Sequence, residues 1–209
     1  MKRNLVALIA VALVVAIIFW LRSTPDYVNL PPSANGPWVA FGDSLTQGHG
    51  ATEGNSYPAV LGRQLGVEIM NAGRNGDTTS SALQRLDEVA QLRPRVVLLC
   101  LGGNDSLNRD PRAQLFSNLG VIIDRFHQEG SFVVLIGVRS ASLRDQHGKY
   151  FRQLARQKKV LYVPDILKGL AFKPVYMSDA IHPNDAGYQR IAERVEKALK
   201  PVIPQLGSR

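Results

Sequence analysis

A single cysteine, Cys100, leaves no partner for an internal disulfide and no cysteine-rich metal site. It sits inside the apolar run 96–101, where a thiol packs as a small hydrophobe. Other chemical signatures are missing too. No Gly-x-Ser-x-Gly occurs, so the nucleophile elbow of an α/β-hydrolase is absent. There is no phosphate-binding Gly-x-x-x-x-Gly-Lys loop and no His-Glu-x-x-His zinc helix. Gly48-His49-Gly50 begins like a dinucleotide fingerprint, but Gly54 comes one residue too late and no strand directly precedes it. The histidines, at 49, 127, 147 and 182, show no metal-ligand spacing. Any chemistry is therefore expected to run without a metal and without a cofactor. The net charge of +8 is scattered, with no Lys/Arg block interleaved with aromatics, so nucleic acid is not an expected partner. Weak attraction to an anionic membrane surface fits that charge better. No repeat, no second globular domain and no obligate protein partner is evident.

The chain does have one long hydrophobic run. Residues 5–21 are unbroken apolar, between Lys2-Arg3 and Arg22. At ~1.5 Å per residue such a helix reaches about 25 Å, slightly short of a ~30 Å hydrocarbon core. Phe19-Trp20 suits the headgroup region. Residues 1–22 read as an uncleaved inner-membrane anchor. The competing reading is a cleaved signal segment, although the only Ala-x-Ala, Ala10-Val11-Ala12, lies inside the run. Either way the charge bias exports the remainder, giving an extracytoplasmic or periplasmic protein. Residues 23–37, with four prolines, read as a linker, residues 38–200 as the domain and residues 201–209 as a C-terminal tail.

Two periodicities alternate within the domain. Short runs rich in β-branched residues predict strands at 38–41, 67–71, 95–101, 132–138 and 160–163. Helical spacing predicts helices at 57–66, 111–130, 149–158 and 185–199, with Asp110 as the N-cap of the second. This alternation implies an α/β fold, a parallel sheet covered by helices on both faces. In such sheets chemistry gathers at the carboxyl ends of the strands. The polar clusters fall there: Gly42-Asp43-Ser44 after the first, Asn71-Ala72-Gly73 after the second, Gly102-Gly103-Asn104-Asp105 after the third.

A serine hydroxyl is a weak nucleophile unless a base takes its proton, and the base works best when a third group orients it. Ser44, His182 and Asp179 supply those roles, the last two three residues apart in a late loop. His49 is the rival base, and His127 and His147 have ordinary surface or loop explanations. Acyl transfer also needs donors for the developing oxyanion. The strand-end loops offer the Ser44 N–H, the Gly73 N–H and the Asn104 side-chain amide.

Together these clusters resemble the SGNH branch of the GDSL esterases and lipases. Phe41-Gly42-Asp43-Ser44-Leu45-Thr46 is similar to the first family block, and Asn71-Ala72-Gly73 with Gly76-Asp77-Thr78-Thr79 to the second. Leu101-Gly102-Gly103-Asn104-Asp105 is similar to the third, and Asp179-Ala180-Ile181-His182-Pro183-Asn184 to the last. The stretch 75–79 and the ending 181–184 are most similar to the bacterial arylesterase, acyl-thioesterase and lysophospholipase group. The resemblance implies a flavodoxin-like three-layer sandwich around five parallel strands. It also implies a Ser44–His182–Asp179 triad, with Gly73 and Asn104 completing the oxyanion hole. The expected substrate is a small acyl ester or thioester. One segment departs from the group: Gly137-Val138-Arg139-Ser140-Ala141-Ser142 replaces a proline-asparagine-tyrosine-glycine loop near the acyl pocket. Short or medium acyl groups are therefore expected; an O-acetyl esterase of cell-envelope polysaccharide is the alternative, and a non-catalytic tethered binding module is the third reading.

Overall fold

The computed structural model describes residues 26–138 and 147–207. The apolar run 5–21 and the segment 137–142 from residue 139 onward lie outside them, and among the described residues no helix is long and apolar enough to cross a membrane. Five strands, β1 (Trp38–Gly42), β2 (Ile69–Gly73), β3 (Val96–Cys100), β4 (Phe132–Ile136) and β5 (Leu161–Val163), form one parallel sheet in the order β2-β1-β3-β4-β5. The three central strands are buried along their whole length, as their unbroken apolar runs require. β2 lies at the edge and stays partly exposed, so its sequence, Ile-Met-Asn-Ala-Gly, does not read as a core strand. That is why the cluster 71–73, expected to follow the strand, proves to be its second half.

The helices are α1 (Ser44–Gln47), α2 (Tyr57–Leu65), α3 (Thr79–Leu83), α4 (Leu86–Ala90), α5 (Gly103–Asn108), α6 (Arg112–Gln128), α7 (His147–Lys158) and α8 (Asp185–Leu199). Alternate strand residues feed two cores. Ala40, Leu98, Cys100 and Val134 pack with Leu61 of α2 and Ile191 of α8. Val39, Val97, Leu99 and Val133 pack with Leu86 of α4, Leu119 of α6 and Phe151 of α7. The result is a three-layer α/β/α sandwich. Pro111 rather than Asp110 caps α6, with no side-chain hydrogen bond, so the predicted Asp110 cap is not made.

Two segments expected to lie outside the domain are packed onto it. Residues 26–37 run along the N-terminal edge of the sheet. There Val28 N–H donates to Lys159 O, the amides of Ser33 and Ala34 to Gly130 O, and Gly36 N–H to Arg93 O, at 3.0–3.2 Å. Asn29 Nδ2 donates to the carbonyls of His127 and Ser131, and the Tyr27 ring meets Phe132 edge-on. The prolines of the expected linker here shape a strap held by backbone hydrogen bonds. At the other end Val202 and Leu206 are buried in the α8-side core.

The strand order reverses direction between β1 and β3, where a crevice opens beyond their carboxyl ends. The turns that leave these two strands carry Ser44 and Asn104.

Candidate active site

Ser44 is the first residue of α1, directly after β1. Asp43 caps that helix, its carboxylate accepting the Leu45 N–H at 3.0 Å. The turn from strand to helix is very tight. A Cβ on Gly42 would lie 2.1 Å from Thr46 Oγ1 and 2.4 Å from Cys100 O, so only glycine lets α1 fold back onto the sheet. Gly48, with φ of 98°, ends the helix and returns its N–H to Ser44 O.

The loop before α8 delivers the other two residues. Asp179 Oδ1 accepts the backbone N–H groups of Ile181 and His182, both at 2.7 Å, and Oδ2 meets His182 Nδ1 at 2.8 Å. The hydrogen bonds from the His182 backbone and ring, then from Ile181, hold the Asp179 carboxyl well below the usual carboxylate range. His182 Nε2 lies 3.1 Å from Ser44 Oγ. The loop is closed by a bridge between Met177 and Pro183, and by Ser178, whose N–H and hydroxyl both donate to His182 O. Asn184 caps α8, and Asp185 ties the helix start to Thr52 in the loop after α1. The two halves of the site are thus fastened together at the base of the serine–histidine contact.

The sequence-predicted residues do not all behave alike. Ser44, Asp179 and His182 converge. Asn104 lines the same cavity and donates one amide hydrogen to Asp77 O at 2.9 Å. Gly73 departs from expectation: its N–H donates to Asn71 Oδ1 at 2.9 Å and is committed there. Glycine is needed at 73 for packing, because a Cβ would come within 2.2 Å of the Gln47 amide nitrogen at the end of α1. Gly76 lies three residues further along, in the loop after β2, with φ of 79°, and its N–H has no hydrogen-bond partner among the described residues. The Ser44 N–H is likewise without one.

The histidines also differ from their expected surroundings. His49, the rival base, packs its ring against His182 with centroids 4.3 Å apart, and its Nδ1 lies 3.4 Å from Asn75 Nδ2. Although sequence spacing suggested no ligand cluster, donor atoms of His49, Asp179 and His182 lie within 4.8 Å of one another. His147 opens α7 and its Nδ1 lies 2.8 Å from Ser106 Oγ. His127 is half-buried, and desolvation lowers its pKa.

Sequence reasoning gave no role to the buried polar residues beneath the site. Arg85 pairs with Asp77 at 2.7 Å and donates to the carbonyls of Ala72 and Gly42, tying the carboxyl ends of β2 and β1 together. Its guanidinium also lies over the Phe41 ring. Asp105 accepts the Thr79 N–H and hydroxyl. Asp43 is almost wholly enclosed. Burial pushes its pKa up to about 7, opposed by the Leu45 N–H and reinforced by the charges of Asp105 and Asp77. The signal was present in the Gly-Asp-Ser, Gly-Asp-Thr and Asn-Asp pairs, whose acids are the buried members.

The geometry provides a hydroxyl, a base within hydrogen-bond reach, a carboxylate that orients the base, and amide donors around a cavity. The profile of the GDSL-like lipase/acylhydrolase family matches residues 40–190 of this chain, the span that builds the whole constellation. The chain belongs to that family. Among GDSL-like relatives, esterase TesA of Pseudomonas aeruginosa is 30% identical over 177 residues, covering 79% of this chain and 88% of TesA. An arylesterase of Vibrio mimicus is 31% identical over 77% of this chain and 86% of its own length. A crystal structure of TesA superposes with a TM-score of 0.74, covering 79% of this chain and 99% of that one. The five-stranded sheet seen here is the fold of these GDSL-like structures.

Proposed function

We propose that the protein is a serine esterase that cleaves carboxylic ester or thioester bonds of small or medium acyl substrates. The observation that carries this reading is the unbroken hydrogen-bond line from Asp179 through His182 to Ser44, at 2.8 and 3.1 Å, which ends at a serine on the wall of a cavity of about 370 Å³. The family membership and the esterases among its relatives agree with it.

Ser44 Oγ attacks the acyl carbonyl carbon while His182 Nε2 takes its proton. Asp179, held ionised by its donors, keeps the other ring proton on Nδ1 and so leaves the Nε2 lone pair facing Ser44. The tetrahedral oxyanion lies against the Ser44 N–H, the second hydrogen of Asn104 Nδ2 and the N–H of Gly76, which takes the place first given to Gly73. Gly76 suits this because its amide is uncommitted and the neighbouring Asp77 carbonyl already anchors Asn104. Collapse transfers the His182 proton to the leaving group and leaves an acyl-Ser44 ester. Water, deprotonated by His182, then attacks that ester and releases the carboxylic acid and the free serine.

The full chain should hydrolyse p-nitrophenyl butyrate, and Ser44→Ala should lower kcat by a factor on the order of 10⁴–10⁶ with the fold retained. Unchanged turnover in that variant would refute the assignment.

The cellular location belongs to the same reading: an exported, extracytoplasmic domain, periplasmic where there is an outer membrane, held by residues 5–21 in the cytoplasmic membrane. With residues 26–37 strapped to the domain, residues 22–25 span at most about 14 Å, so the N-terminal edge of the sheet rides close to the bilayer. The site, at the opposite edge, then faces away from it. Carbonate washing should leave the full chain in the membrane fraction; release would point to a cleaved signal instead.

A further inference from the structure

We propose that His49, Asp179 and His182 form a site for a transition-metal dication, Zn²⁺ foremost, whose reversible binding switches the active site off. The switching rests on the esterase reading; the binding of the ion does not. The three side chains come from two loops that the fold locks against each other. Gly50, with φ of 88°, is the point of contact: a Cβ there would lie 2.1 Å from Ser178 Oγ and 2.7 Å from Pro183 O. Next to it, His49 N–H donates to Ser44 O at 3.0 Å, and His49 O accepts the Tyr188 hydroxyl at 2.8 Å. The His49 backbone is thus pinned to α1 and to α8, while its side chain stays exposed.

No step of the ester chemistry uses the His49 ring. It faces the His182 ring at 4.3 Å between centroids, tilted by 53°, and no hydrogen bond joins the two among the described residues. Its nitrogens have one neighbour there, Asn75 Nδ2, at 3.4 Å from Nδ1. The carboxylate of Asp179 adds a negative charge beside the pair, and donor atoms of all three residues lie within 4.8 Å of one another. Around a tetrahedral zinc ion with bonds of ~2.0–2.2 Å, ligand atoms stand about 3.4 Å apart. Rotation of the exposed His49 and Asp179 side chains covers that difference. Two imidazoles and one carboxylate suit Zn²⁺ and Cu²⁺, whereas Mg²⁺ and Ca²⁺ require oxygen ligands throughout.

An ion bound here silences the base whichever nitrogen of His182 it takes. At Nε2 it occupies the lone pair that receives the Ser44 proton. At Nδ1 it displaces the ring proton, which moves to Nε2 and turns a donor rather than an acceptor toward Ser44. Neither event alters the chain covalently, so a chelator restores the free triad.

The test titrates Zn²⁺ calorimetrically into the full chain carrying Ser44→Ala, which reads binding without turnover, and follows p-nitrophenyl butyrate hydrolysis by the wild type. One equivalent should bind, and saturating zinc should lower hydrolysis at least about tenfold, with recovery on adding EDTA; Mg²⁺ should do neither. His49→Gln keeps a polar side chain and His49→Phe keeps the ring contact with His182. Each variant is compared with its own zinc-free rate, and both should weaken zinc binding and inhibition at least about tenfold. No binding below about 100 μM Zn²⁺ overturns the proposal. Unchanged binding or inhibition in both His49 variants also overturns it, because the ion then sits elsewhere. Binding that leaves hydrolysis untouched overturns the switch. If the zinc-free wild type cleaves no ester, yet zinc binds and the His49 variants weaken it, the site stands and the esterase reading alone fails.

Discussion

Asp43→Asn isolates the energetic consequence of enclosing a carboxyl group directly beneath the nucleophile turn. The Asp43 pKa is raised from 3.8 to about 7, first by desolvation and then by Asp105 and Asp77. A raised value means that the folded protein holds this proton more tightly than the unfolded chain. The contribution to stability is therefore greatest below the ordinary value of 3.8 and is lost as pH rises through about 7. With these two values the penalty for folding around Asp43 grows from about 2 kcal/mol at pH 5 to about 4 kcal/mol at pH 9. Asparagine does not titrate, and its side-chain oxygen can still accept the Leu45 N–H. Groups remote from Asp43 are common to both proteins and cancel in the comparison. Urea unfolding of wild type and Asp43→Asn at pH 5, 7 and 9 should show the variant gaining on the wild type by roughly 2–3 kcal/mol across the range, most of it between pH 5 and 7. Parallel curves, with the difference changing by less than about 0.5 kcal/mol, would refute the reasoning and mean that water or a proton-sharing neighbour solvates Asp43.

Other substitutions probe the remaining parts of the site. Asp179→Asn should leave the loop fold nearly intact, yet lower kcat by a factor on the order of 10³–10⁴, because the ring proton is no longer held on Nδ1; steady-state kinetics checks this. Arg85→Met strips the buried Asp77 of its partner and two strand-end carbonyls of their donor, so it should cost about 3–5 kcal/mol in urea unfolding. Gly73→Ala drives a Cβ to 2.2 Å from the Gln47 nitrogen, so it should cost about 1–3 kcal/mol in urea unfolding and lower kcat by shifting α1 with Ser44.

The regular parts of this molecule could be read from local pattern. β3 and β4 announce themselves as continuous apolar runs, and the spacing of Tyr188, Ile191, Val195 and Leu199 marks α8 with its observed ends. The short helices α1, α3, α4 and α5 escaped that logic. Four to six residues complete too few turns to display a periodicity, and caps and tertiary contacts hold them instead. Residues 26–37 misled because proline content reports backbone stiffness, whereas the strap depends on carbonyls of Gly130, Arg93 and Lys159 that lie far away in sequence.

At the site, residue chemistry was local knowledge: a serine at a strand end and an acid three residues before a histidine are visible in the linear order, and so is the function they suggest. Their convergence was not, since Ser44 and His182 are 138 positions apart and meet only when β1 and the loop before α8 reach the same edge of the sheet. The same holds for which glycine has a free amide. Composition and spacing specify what groups are available; hydrogen-bond commitment and exposure are properties of packed neighbours, and those are decided only when the chain closes on itself.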